Sequence, residues 1–124
     1  MKTPAVAVLD VGKTNKKILV YDREFKPLAE ERTTLETKEK DGLEVEATEE
    51  LLSWFKDAMA RLGEQYEIQA ISVCAHGATV AMLDENGALA YPVISYTSEK
   101  GAEVEEEFYD TFGKPRDLHM DTCT

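Results

Sequence analysis

Asp10-Val11-Gly12-Lys13-Thr14-Asn15-Lys16-Lys17 puts a carboxylate at the end of an apolar run and a glycine where the chain must turn, with a hydroxyl and cations following. Residues of these types suit phosphate chemistry. A tight loop aims backbone N–H groups at phosphate oxygens, Gly12 and Lys13 shape it, and Thr14 and Lys17 add a hydroxyl and positive charge. Asp10 is the candidate metal residue, because magnesium on a nucleotide needs a carboxylate nearby, usually reached through its water shell. An ordinary β-hairpin turn also explains these residues, since Asx and Gly belong to turns anyway. A Walker loop does not: its earlier glycine would fall at Ala7, inside the apolar run, and a strand rather than a helix follows. A second candidate is His76-Gly77, separated only by Ala75 from the apolar stretch ending at Cys74. By residue type alone, His76 reads as a loop histidine bonded to backbone.

The elements that must position these residues follow from periodicity. Ala5–Leu9 and Ile18–Tyr21 are apolar runs separated by turn formers, which predicts strand, tight loop, strand. Leu28–Leu35 suits a third, more exposed strand, and Lys38–Gly42 reads as a loop. From Thr48, the residues Leu51, Leu52, Phe55, Ala58, Met59 and Leu62 recur at helical spacing, with Trp54 on or beside the stripe as core packing. Thr48 is the expected cap, Glu49 and Glu50 suit the positive end, Arg61 the negative end, and Gly63 the stop. Ile68–Cys74 and Ala78–Leu83 read as strands, Asp84-Glu85-Asn86-Gly87 as a turn, and Pro92–Tyr96 as a strand start or edge. Ser98 is the expected cap of a last helix with Val104, Phe108, Thr111 and Phe112 on one face, a solvated acidic run on the other, and Gly113 and Pro115 as its stop. The result is an α/β domain with a mixed sheet in β-β-β-α-β order, because a tight first loop forces antiparallel neighbours before a helical crossover.

Composition narrows the function classes. The chain has 124 residues, 43% hydrophobic and 31% charged, with a net charge of -11. One domain with a real core is expected, without a membrane span or secretory leader, in the cytoplasm. The negative surface repels nucleic acid and anionic membrane. Cys74 and Cys123 have the spacing of neither a disulfide framework nor a zinc site, and His119 reads as a surface residue.

Taken together, Ala7 to Ile18 resembles the first phosphate motif of the actin, sugar kinase and heat-shock ATPase superfamily. Within it, Ile71-Ser72-Val73-Cys74-Ala75-His76-Gly77-Ala78-Thr79 is similar to the FGGY carbohydrate kinase strand and loop that carry Gln-Met-His-Gly. Pro92 to Lys100 is similar to the following segment, where many members read Leu-Trp-Asn-Asp-x-Arg. Several positions depart from that pattern: Lys13 stands where a hydroxyl residue is usual, Cys74 and Ala75 replace Gln and Met, and Tyr96, Thr97, Ser98 and Lys100 replace Trp, Asn, Asp and Arg. Ser98 cannot replace a carboxylate that accepts hydroxyl protons.

The resemblance implies an incomplete actin-like (ribonuclease H-like) domain at residues 1–124, part of an enzyme transferring phosphate from ATP, with Mg2+, to a sugar hydroxyl. It implies that Asp10, Gly12, Lys13, Thr14 and Lys17 face the nucleotide and metal, and that His76, Gly77 and Tyr96 face the sugar. The family's catalytic base would lie beyond Thr124, so this chain alone is expected to be inactive. No stop signal is seen over Leu118–Thr124, and exposed sheet edges are expected to favour self-association. The alternatives are a non-catalytic actin-like assembly module, or a superfamily ATPase with a protein partner.

Overall fold

The computed structural model describes residues 1–114. Pro115, His119, Cys123 and the stretch 118–124 lie outside the described residues. The chain divides into two compact units: Met1–Glu36 with Ala47–His76, and Thr37–Glu46 with the chain from Gly77 onward.

In the first unit, strands β1 (Thr3–Val11), β2 (Asn15–Tyr21) and β3 (Pro27–Thr34) run as an antiparallel meander. Helix α1 (Thr48–Gln65) then crosses over, and strand β6 (Tyr66–Ala75) returns parallel to β1. The sheet order is β3-β2-β1-β6. This is the mixed sheet expected from the short first loop, which permits only an antiparallel partner, and the later helix, which permits a parallel one.

Alternation along β1 and β2 decides what each face carries. Ala7 and Leu9 pair with Val20 and Ile18, and these four, with Ala5 on the same face of β1, form a core with Ala58 and Leu62 of α1. Trp54, Phe55 and Met59 pack against that core. Burying an Ile, Val or Leu side chain contributes about 1.5–3 kcal/mol, so this one face holds helix to sheet. Asp10 and Lys17 fall on the opposite face, directly across from one another.

The helix departs from the sequence reading at four places. Its N-cap position is Ala47, with no side-chain cap bond, and Thr48 is already helical. Gly63 does not stop it: the helix continues to Gln65, and Tyr66 enters β6 directly. Leu52 is exposed, at the edge of the stripe. Arg61 serves no helix end, because its guanidinium donates two bonds to the Glu31 carboxylate on β3, at 3.1 and 3.0 Å.

In the second unit, Lys38–Gly42 is not a loop. Strands β4 (Lys38–Lys40) and β5 (Leu43–Val45) form a hairpin through Asp41-Gly42, both at positive φ (53° and 76°). Asp-Gly is a two-residue connection whose twist matches paired strands. Ala78–Leu83 is not a strand: it holds one isolated bridge, Leu83 to Leu89, around the Asp84–Gly87 turn, and Val80 and Met82 are exposed. Ile94 bridges Val45, which makes Pro92–Tyr96 a short edge beside β5. A 3-10 turn (Glu99–Gly101) leads into α2 (Ala102–Phe112), which ends at Gly113 with φ 79°. Ser98 precedes the turn without a side-chain cap bond; its hydroxyl instead accepts the Glu44 N–H at 3.3 Å. Val104, Phe108 and Phe112 do share a side of α2, but that side is exposed.

Candidate functional site

The turn between β1 and β2 is three residues long, and its conformation is set by where its carbonyls go. Each carbonyl from Val11 to Asn15 accepts a hydrogen bond within the first unit. Val11 O takes the His76 amide at 2.9 Å and its ring Nδ1 at 3.1 Å. Gly12 O and Lys13 O take Lys16 Nζ at 2.7 and 2.6 Å. Thr14 O takes the Leu35 N–H, and Asn15 O takes the Gly12 N–H, each at 3.0 Å. A Cβ on Gly12 would stand 2.8 Å from Asn15 O, so glycine is required there by close approach.

The first unit therefore brings together Asp10, Gly12, Lys13, Thr14, Lys17 and His76 at one end of the sheet. Asp10, half-buried, lies between Lys17 on β2 and Cys74 on β6 in the strand register. Thr14 is exposed and Lys13 half-buried. A carbonyl can only accept, so the bond to Val11 places the ring proton of His76 on Nδ1 and makes Nε2 the acceptor of the neutral imidazole. That tautomer is suited to accepting a hydrogen bond from a hydroxyl group.

For a metal, the donor set is one carboxylate. Among the described residues no group of three or more His, Cys, Asp or Glu could hold an ion. Asp10 alone fits magnesium held mainly by water and phosphate, and does not fit an all-protein cage.

Gly77 and Tyr96 belong to the second unit. Gly77 is exposed, and Ala78 beside it holds φ 59°, an uncommon state for a residue with a Cβ. Tyr96 is half-buried. Next to it in sequence, Thr97 donates to Glu44 Oε1 at 2.8 Å and Thr37 donates to the same oxygen at 2.6 Å. A polar cavity of about 460 Å3 opens here, lined by Lys38, Glu44, Thr97, Ser98, Lys100 and Glu103 among others.

Two residues escape the sequence reading. Lys16 does not stand out by residue type between Lys13 and Lys17, although its place in the alternation with Ile18 and Val20 marks it as inward-facing. Glu44 follows the Asp-Gly turn, the signal that would have paired its strand and aimed it at Thr97.

Residues 5–118 match the model of the FGGY family of carbohydrate kinases, N-terminal domain. Among curated proteins the chain is similar to an L-fuculokinase of Salmonella typhi, 30% identical over 124 residues, which cover 95% of this chain and 26% of the relative. Among solved structures it is similar to a carbohydrate kinase from Novosphingobium aromaticivorans (TM-score 0.76, 24% identity, 85% of this chain and 22% of that one). It is also similar to a gluconate kinase from Lactobacillus acidophilus (TM-score 0.74, 18% identity, 89% and 23%). A Plasmodium falciparum glycerol kinase solved with ADP gives a TM-score of 0.68 at 20% identity, over 88% and 23%. At these identities the structures show a shared fold, the actin-like amino-terminal domain. The chain spans about a quarter of the length of the curated relative it matches. Among the described residues no helix is long and apolar enough to cross a membrane.

Proposed function

Because this chain belongs to the FGGY family of carbohydrate kinases, as the family's amino-terminal domain, we propose that it supplies the first phosphate loop and part of the sugar pocket of an ATP-dependent sugar kinase. The single observation that carries this reading is the β1–β2 turn, whose carbonyls from Val11 to Asn15 are all occupied by donors of the first unit. A loop with its carbonyls so held opposes an approaching phosphate less, and Lys17 adds charge on the face where Asp10 stands.

Nucleotide use is supported by the ADP-bound glycerol kinase that shares the fold. Magnesium, when bound, neutralises phosphate charge, and Asp10 would hold it through water. Gly12, Lys13 and Thr14 line the phosphate, and His76 orients a sugar hydroxyl through Nε2; Gly77 and Tyr96, in the second unit, are each assigned to the sugar by the family resemblance alone. The hydroxyl oxygen bonds to the γ-phosphorus, ADP leaves, and the hydroxyl proton passes to a base that no residue of this chain is assigned to be. Phosphoryl transfer of this kind depends on positioning and charge. The 124 residues alone accordingly bind without turnover.

The test is ATP consumption by the product of the complete reading frame against a panel of sugars, with L-fuculose first because of the L-fuculokinase relative. One sugar that drives ATP consumption, with loss of about 100-fold or more on Asp10→Asn, is the expected result. Full activity of the Asp10→Asn variant, or no sugar dependence at all, overturns it.

A further inference from the structure

Lys16 is 3% exposed, unusual for a lysine, and sits on the core face of β2 with Ile18 and Val20. An apolar side chain would continue that stripe, and burying an ammonium costs free energy unless strong acceptors replace its water. Here the acceptors are the carbonyls of Gly12 and Lys13, at 2.7 and 2.6 Å. Its neighbour Lys17 leaves the strand on the other face, in register with Asp10. The two adjacent lysines therefore work on opposite sides of the same loop.

We infer that Lys16 is a positioning residue, resting on the phosphate-loop reading above: from the core side it holds the Gly12 and Lys13 carbonyls so that the loop receives phosphate, without touching it. Carbonyl oxygens carry partial negative charge and repel an anion when they turn outward. Two carbonyls bound to one ammonium cannot rotate independently, and the bond between Gly12 N–H and Asn15 O closes the turn around them. Lys17 acts by its charge toward the ligand, Lys16 by the shape it imposes.

The experiment compares the complete protein with its Lys16→Met, Lys16→Gln and Lys17→Met variants, measuring MgATP affinity by calorimetry and the Gly12 and Lys13 carbonyl-carbon resonances by NMR. Ile18 and Val20 methyl resonances report whether the core is kept. Lys16→Met is expected to keep the core, shift both carbonyl resonances and weaken MgATP roughly tenfold or more, the scale on which supporting groups act on sites they do not touch. Lys16→Gln, which keeps a donor, recovers part of the loss, whereas Lys17→Met weakens MgATP with both carbonyl resonances in place. Unchanged affinity or unchanged carbonyl resonances in Lys16→Met overturns the inference. Loss of the core in both Lys16 variants makes the residue purely structural and overturns it too. A wild-type protein that binds no MgATP overturns the phosphate reading instead, while shifted Gly12 and Lys13 resonances in Lys16→Met still uphold the loop-holding half.

Discussion

The carbonyl of Val11 accepts two bonds from His76, one from its amide at 2.9 Å and one from its ring Nδ1 at 3.1 Å. The last residue of β1 is thereby joined to the first residue after β6, so the histidine proposed to meet a sugar is oriented by the strand that leads into the proposed phosphate loop. Replacing His76 with Asn, whose amide can still donate, is expected to keep the tether but lose the Nε2 acceptor. In the complete enzyme the KM for sugar should rise roughly tenfold, about one hydrogen bond's worth, while the KM for ATP stays put. Equal rises in both would show that the ring serves the loop and not the sugar.

Gly12→Ala should damage the loop directly. The new Cβ would meet Asn15 O at 2.8 Å, and that oxygen also holds the Gly12 N–H. A loss of about 1–3 kcal/mol in stability is expected by urea unfolding, with MgATP binding falling further than stability does. An alanine variant with wild-type affinity would contradict the close approach seen here.

The pair between Glu31 and Arg61 makes a pH prediction. Hydrogen bonds from Arg61 hold the Glu31 carboxyl below its usual 4.5; burial, the next influence in size, opposes them, and the charge of Arg61 adds a smaller lowering. A carboxylate with a lowered folded value stabilises above the unfolded value, and that contribution is lost as pH falls from about 4.5 through the folded value. Both groups are partly exposed, so the effect is small and weakens with salt. Melting temperature measured from pH 6 to pH 3 should drop less steeply for Glu31→Gln than for wild type. Parallel curves would remove the pair from the stability of the fold.

Strand β6 predicts association. It is an edge of the four-stranded sheet, and Ile71 and Val73 on it are 51% and 64% exposed. An open apolar edge recruits further strands, and an inward-pointing charge blocks that. Sedimentation of the 124-residue chain should show concentration-dependent association that Val73→Lys abolishes; a monomer at every concentration would argue against it.

How much of this could be read without coordinates differed from element to element. The core of β1, β2 and α1 was legible because alternation and helical spacing each leave a regular mark on the order of residues. Ala78–Leu83 reads as a strand for the same reason: its apolar content resembles one, but among the described residues no neighbour pairs with it beyond one bridge. The β4–β5 hairpin was missed because its strands are only three residues each and its pattern too short to show a period. In the loop, residue types identified Asp10, Gly12, Thr14 and Lys17 as candidates but could not separate Lys16 from its lysine neighbours.

By itself, the amino-acid order determined the kind of fold, because apolar runs, a tight glycine loop and helical spacing each leave a regular mark, and it pointed to the family through the resemblance of its loop and His-Gly segments to known motifs. Only the tertiary structure decided which lysine lies inside and which faces Asp10, that His76 reaches back to Val11, and that Arg61 serves Glu31 rather than its own helix end. Those pairings join residues that lie three to 65 positions apart. Such choices depend on which face of a strand each side chain leaves from and on what the opposing element places there, and a linear pattern carries no record of the second.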